Sequence, residues 1–301
     1  MTFVSTFTRI LYFGNVFYGL CTVALSIETN LQLGITLNRP PFYLLIFLAT
    51  VVYYSRIYYN TSFHFTGDER SAWFAKHRAL IRRILLTFSL AIAGVIVYIA
   101  AKNYPALLTL SPTLWLLLFL VPIAGLLYTI PIFSFRKLRH VGWLKPFVIG
   151  FVWVGIVTLF PVLFWQVRNP GQPAGSLLPA LIFWFQNLLF ISSLAVVFDI
   201  KDHTTDKAHG LITIPAKLGV HNTVTLVVVP LAALSFIVLY VFLQLQGRSF
   251  IVVGIQLIPY ILLLLCLRNI SERKNLLFYL AAIDGLMFLK GVCGILSITF
   301  L

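Results

Sequence analysis

Apolar runs recur from one end of this chain to the other, each about 20 residues long and so able to cross the ~30 Å hydrocarbon core of a bilayer as one helix. Inside hydrocarbon the backbone must satisfy its own hydrogen bonds, which leaves helices or closed barrels. Barrel strands alternate polar and apolar side chains, and these runs do not, so the spans are helices. The runs predict nine of them, near residues 10–27, 40–59, 84–101, 112–133, 144–165, 177–198, 221–243, 249–268 and 276–299. Composition agrees: 60% of the 301 residues are apolar, 10% are charged and the mean hydropathy is +0.98, a balance that no water-facing surface of this size tolerates. No linker is long enough to separate domains. The expected fold class is therefore an all-α integral membrane protein, a bundle of nine transmembrane helices forming a single multi-pass domain over residues 1–301.

Charge orients the bundle. Of the 22 Lys and Arg, 17 lie at the N-terminus or after helices 2, 4, 6 and 8, four lie in the opposite loops and Lys290 is intramembrane. The positive-inside rule then places the chain in the cytoplasmic membrane with its N-terminus cytoplasmic and its C-terminus outside. The net charge of +14 is confined to short loops, where topology and anionic membrane lipids account for it, so nucleic acid is excluded as a partner. Arg9 precedes an apolar run too long for a signal peptide, and that run is read as a retained helix 1. Cys21, Cys266 and Cys293 are scattered without a CxxC spacing, which encodes neither a zinc site nor a disulfide framework. Pro122 and Pro161 fall inside helices and are expected to kink them.

Five of the eight acidic residues sit in two cytoplasmic loops. After helix 6 the chain carries Asp199, Lys201, Asp202, Asp206, Lys207, Gly210, Thr213, Pro215, Leu218 and Gly219. A helix continuing through this segment puts Asp199, Asp202 and Asp206 at i, i+3 and i+7 on one stripe. Three unpaired carboxylates there repel one another, and hard oxygen ligands of this kind suit Mg²⁺ completed by substrate phosphates. After helix 2, Asn60, His64 and Asp68 are spaced i, i+4 and i+8, again one stripe if the helix persists. A basic segment after helix 4, with Arg136, Lys137 and Arg139 followed by Lys145, adds cations whose N–H groups can bind diphosphate oxygens. Asp284 and Lys290 lie within helix 9, about 120° apart and so unable to pair with each other directly, and are expected to be functional or to meet other helices. Gln186, Asn187 and Asn15 are read as interhelical hydrogen-bonding groups, with the acceptor pocket as the alternative.

With these residues in view, the chain resembles the UbiA superfamily of intramembrane prenyltransferases over nearly its whole length. The stretch from Asp199 to Gly219 is similar to the family's second aspartate-rich motif, DxxDxxxD followed by G, T, P and LG, with every element present. Asn60 and Asp68 match the ends of the first motif, NxxxDxxxD, while His64 stands where an aspartate is expected. The resemblance implies that Asp199, Asp202, Asp206, Asn60 and Asp68 hold Mg²⁺ against an isoprenyl diphosphate. Arg136, Lys137, Arg139, Lys201, Lys207 and His64 would contact the diphosphate, since an imidazole is a poor Mg²⁺ ligand. The implied reaction is transfer of the isoprenyl group to a lipophilic acceptor, such as a quinone precursor.

His64 also leaves open a relative with altered or lost catalysis that binds an isoprenoid lipid. A transporter would place carboxylates at broken helices near the bilayer midplane, whereas most acids here lie at one face.

Overall fold

The computed structural model describes residues 6–61, 69–129, 142–170, 172, 177–208, 212–268, 270 and 275–300. The described residues are mostly helical and contain no strand. In chain order the helices are α1 (Thr6–Phe13), α2 (Val16–Gln32), α3 (Pro40–Thr61), α4 (Glu69–Lys76), α5 (Arg78–Lys102), α6 (Tyr104–Leu108), α7 (Pro112–Thr129), α8 (Lys145–Arg168), α9 (Leu177–Ile200), α10 (His203–Ala208), α11 (Ile214–Leu245), α12 (Phe250–Arg268) and α13 (Leu276–Thr299). Seven of these are long and apolar enough to cross a membrane, and α1 with α2 makes an eighth if that pair, bent by 58°, is one span. The helix expected over 112–133 is the shorter α7, so the expected nine stand at seven or eight by length and hydropathy among the described residues.

Two compact units share the chain, the first formed by Met1–Val23 and Asn38–Thr109, the second by Ala24–Leu37 and Leu110–Leu301. In the first, α3 lies along α5, with α4 between them in sequence and touching both. The bend between α1 and α2 falls at Asn15, which adopts a left-handed φ of 63°. Asparagine tolerates that region because its short amide can bond locally. Here the amide nitrogen donates to Ser55 Oγ at 3.0 Å, and its oxygen accepts from the Arg70 guanidinium. Arg70 is itself buried, donates to Tyr58 Oη at 3.0 Å and lies 3.9 Å from the Tyr58 ring centroid.

In the second unit α9 is the central helix, touching α8, α11 and α13. Its position shows in burial: 61% of its apolar stretch is buried, against none for the still more apolar α5 of the first unit. A helix apolar all round is a lipid-facing or a core element depending only on its neighbours. Both α8 and α11 carry a proline that lacks an N–H. In each the preceding turn widens to π geometry, Gly155–Leu159 before Pro161 and Val224–Val228 before Pro230, which makes room for the ring. The expected kink at Pro161 thus takes the form of a π turn. The helix expected at 221–243 begins earlier, at Ile214, with a non-helical break at Gly219. Asn187 of α9 donates to Thr158 Oγ1 of α8 at 3.0 Å, and Gln186 to Tyr260 Oη of α12 at 2.6 Å, which is the expected interhelical bonding. The three cysteines are free.

Candidate functional site

Asp199 lies in the last turn of α9. That helix ends at Ile200 because the following amides take tighter bonds three residues back. Lys201 N–H donates to the Phe198 carbonyl at 3.3 Å, and Asp202 N–H to the Asp199 carbonyl at 3.2 Å. The chain restarts as α10, with Asp206 N–H donating to the Asp202 carbonyl at 2.8 Å. The single stripe expected for Asp199, Asp202 and Asp206 is therefore broken. The repulsion that the stripe implied is relieved by the turn at Lys201–Asp202, which lets one carboxylate swing to water. Asp202's side chain is 43% exposed and ion-paired with Lys201, whereas that of Asp199 is 4% exposed. Among the described residues, no three His, Cys, Asp or Glu side chains stand together as a metal cluster.

Asp199 is not left uncompensated. Lys145, the first residue of α8, forms an ion pair with Asp199 Oδ1 through its ammonium. A cation at a helix N-terminus opposes the helix dipole, a cost that the Asp199 carboxylate offsets. By sequence alone Lys145 is only the tail of the basic segment. Asp199 Oδ2, the other oxygen, is buried with no hydrogen-bond partner.

Asp206 sits in α10 and is partly buried. Burial raises its carboxyl above the usual carboxylate range and repulsion from Asp202 adds to this, while Lys145, the Thr213 hydroxyl and Lys201 pull the other way. Thr213 joins the site to the next helix. Its hydroxyl donates to Asp206 and accepts the Ala216 N–H at 3.4 Å as the N-cap of α11, with Pro215 in the first turn. Asp206 Oδ2 is also buried without a partner. Gly142 holds two chain segments of the site together, since a Cβ there would lie 2.3 Å from the Ile212 carbonyl oxygen. Only a residue without a side chain lets the backbone entering α8, and with it Lys145, run directly against the segment that leads to Thr213.

Two buried, unpartnered carboxylate oxygens, one from Asp199 and one from Asp206, are a donor set that a hard divalent cation accepts. Mg²⁺ is commonly held by one or two carboxylates, with water and substrate phosphate completing its shell, so these residues fit it. Lys207 is exposed on α10, and Asn60 is exposed in the last turn of α3 in the first unit. His64, Asp68, Arg136, Lys137 and Arg139 lie outside the described residues.

These features define a multi-pass helical membrane protein with an acidic, cation-paired site at the ends of its helices. The chain belongs to the UbiA prenyltransferase family, whose sequence model matches residues 75–289. That membership supports isoprenyl transfer in a membrane, and the matched stretch takes in Lys145 and the Asp199–Asp206 segment. A solved structure of digeranylgeranylglyceryl phosphate synthase shares the fold, with a TM-score of 0.56, 16% identity, and 98% of this chain and 99% of that one covered. None of the curated proteins matches the sequence.

Proposed function

We propose that this chain transfers the isoprenyl group of an isoprenyl diphosphate to a lipophilic acceptor resembling a quinone precursor, with Mg²⁺ joining the diphosphate to Asp199, Asp202 and Asp206. The observation that carries this reading is the pair of unpartnered carboxylate oxygens on Asp199 and Asp206, inside the stretch matched by the family. When bound, Mg²⁺ supplies the charge that stabilises the departing diphosphate. Asp199 is held in place by Lys145, and Asp206 by Thr213, so neither carboxylate has to reorganise to meet the substrate. Asp202, exposed beside Lys201, is the member free to close on the incoming headgroup. The ammonium groups of Lys145, Lys201 and Lys207 donate to diphosphate oxygens, and the reading gives Arg136, Lys137 and Arg139 the same task. The allylic C–O electron pair leaves with the diphosphate, the acceptor's nucleophilic atom bonds to the freed carbon, and the acceptor's proton is released.

By resemblance the reading extends the metal role to Asn60 and Asp68 and a diphosphate contact to His64. It places the reaction at the cytoplasmic face, on the strength of the 17-to-four division of basic residues. The test is release of diphosphate by purified protein supplied with Mg²⁺, an allylic isoprenyl diphosphate and candidate acceptors. Asp202→Ala is expected to abolish release, and release that the substitution leaves unchanged overturns the assignment. A second reading, altered or lost catalysis, is favoured by His64 alone. It requires His64→Asp to raise Mg²⁺-dependent turnover greatly, and a wild type already active that gains nothing counts against it.

A further inference from the structure

The second unit buries another set of polar groups, built around one turn of α13. Lys290, Gly294 and Ser297 fall at i, i+4 and i+7 on that helix and face inward. Lys290 Nζ donates to Glu28 Oε1 of α2 at 2.8 Å, with side-chain exposures of 3% and 0%. A Cβ at Gly294 would stand 2.4 Å from Glu28 Oε1, so the glycine is the cradle in which the carboxylate sits. Gln32 Nε2 of α2 donates to the Gly294 carbonyl at 3.3 Å, and Ser297 Oγ donates to the same carbonyl at 2.9 Å. Gln256 Nε2 of α12 then donates to Ser297 Oγ at 3.0 Å. Two helices, α2 and α12, thus bring one carboxylate and two carboxamides, all buried, to a single turn of a third, α13.

The hydrogen-bonding account around that turn is lopsided. The amide and ammonium N–H groups find partners, but Glu28 Oε2, Gln32 Oε1 and Gln256 Oε1 are buried with none. Helix adhesion explains the donors that are used, not three acceptors left over in the protein interior, where an unmet polar atom is costly. All three are acceptors, so the missing partner is a molecule that brings O–H or N–H groups. The turn is also remote from the aspartate segment. Phe183, whose ring centroid is 5.2 Å from Lys290 Nζ, precedes Asp199 on α9 by 16 residues, about 24 Å at 1.5 Å rise per residue.

We propose that the Glu28–Gln32–Gln256 cluster against the Gly294 turn is a second, intramembrane binding site for the hydroxyl-bearing end of a lipophilic molecule, whose O–H groups donate to the three unpartnered oxygens. A site walled by apolar, membrane-length helices takes a ligand that carries its hydroxyls on an apolar body. The site stands independently of the prenyl-transfer reading, since none of its residues belongs to the aspartate segment.

The test compares a decyl-substituted resorcinol with its dimethyl ether, which keeps ring and tail and loses both donors. Binding to the purified full chain is read by thermal shift and by native mass spectrometry. The resorcinol is expected to bind saturably and raise the melting temperature, and the ether to do neither. Gln32→Leu and Gln256→Leu are each expected to weaken resorcinol binding roughly tenfold, because a site built for hydrogen bonds loses its selectivity with them, while diphosphate release stays unchanged. Equal binding of the ether overturns the proposal, as does undiminished resorcinol binding in the Gln32→Leu/Gln256→Leu double variant. So does absence of saturable binding to wild type, the result expected if water alone fills the turn. The wild-type comparison of the two probes decides the matter even if a variant fails to fold.

Discussion

Lys145 and Asp199 form the ion pair on which the candidate site is built, and neither partner is replaceable alone. Removing one member of this largely buried pair leaves the other as an uncompensated charge, at a cost of up to about 3 kcal/mol once the partly exposed lysine is allowed for. Lys145→Met is therefore expected to lower the melting temperature in detergent, and adding Asp199→Asn to recover much of the loss without restoring diphosphate release. A double variant no more stable than the single one would show that the pair carries no such energy. Asp206 makes a different prediction, because its carboxyl is raised above the usual range by burial and by Asp202. For a raised acid, the stabilising contribution is complete below the unfolded value of about 3.9 and is lost as pH rises through the folded one. The melting temperature of metal-free protein is thus expected to carry a falling component that starts at about pH 4 and ends once the pH has passed the raised folded value. Asp206→Asn removes that component, as melting curves of the two proteins across this range would report.

The helices reach the site through their ends, where small residues set the geometry. Thr213 caps α11 and holds Asp206 with the same hydroxyl. Thr213→Val is expected to cost about 1 kcal/mol in stability through the lost cap and to slow diphosphate release further than that loss explains, since Asp206 is then unanchored. Thr213→Ser, which keeps the hydroxyl, should rescue both, and a serine variant as slow as the valine one would refute the hydroxyl's role. Gly142→Ala places a methyl where the Ile212 carbonyl lies. The two backbones have to part, and a shift on the order of 1 Å at a reacting centre can lower turnover about a hundredfold, measured as diphosphate release in protein that remains folded. The π turns before Pro161 and Pro230 show the same economy within the spans, absorbing a missing N–H by widening instead of breaking the helix.

For the whole molecule, the distribution of basic residues predicts which loops face the cytoplasm. Single cysteines placed beside Lys76 and beside Lys102, in a background without Cys21, Cys266 and Cys293, are expected to label from opposite sides of sealed vesicles, the first from the cytoplasmic side. Labelling of both from one side would overturn the orientation. Hydropathy along the chain was enough to read helical membrane spans, because a bilayer imposes length and apolarity locally, residue by residue. The aspartate segment and its likeness to the family were legible for a similar reason: charges are so sparse in such a chain that a cluster stands out. Partnership was not legible. Lys145 meets Asp199 across 54 positions, and Lys290 meets Glu28 across 262, the latter acid lying just past the end expected for helix 1 but inside the helix that forms. Nor could apolarity alone tell the core helix α9 from the lipid-facing α5, or show that α9 would stop at Ile200 and spread its three aspartates. What the sequence determined by itself is the solvent each segment needs and the kinds of charge available. Which of those charges pair, and where a helix gives way to let them, was decided only by the tertiary structure, since these depend on contacts between segments far apart in the chain and on the repulsion those contacts relieve.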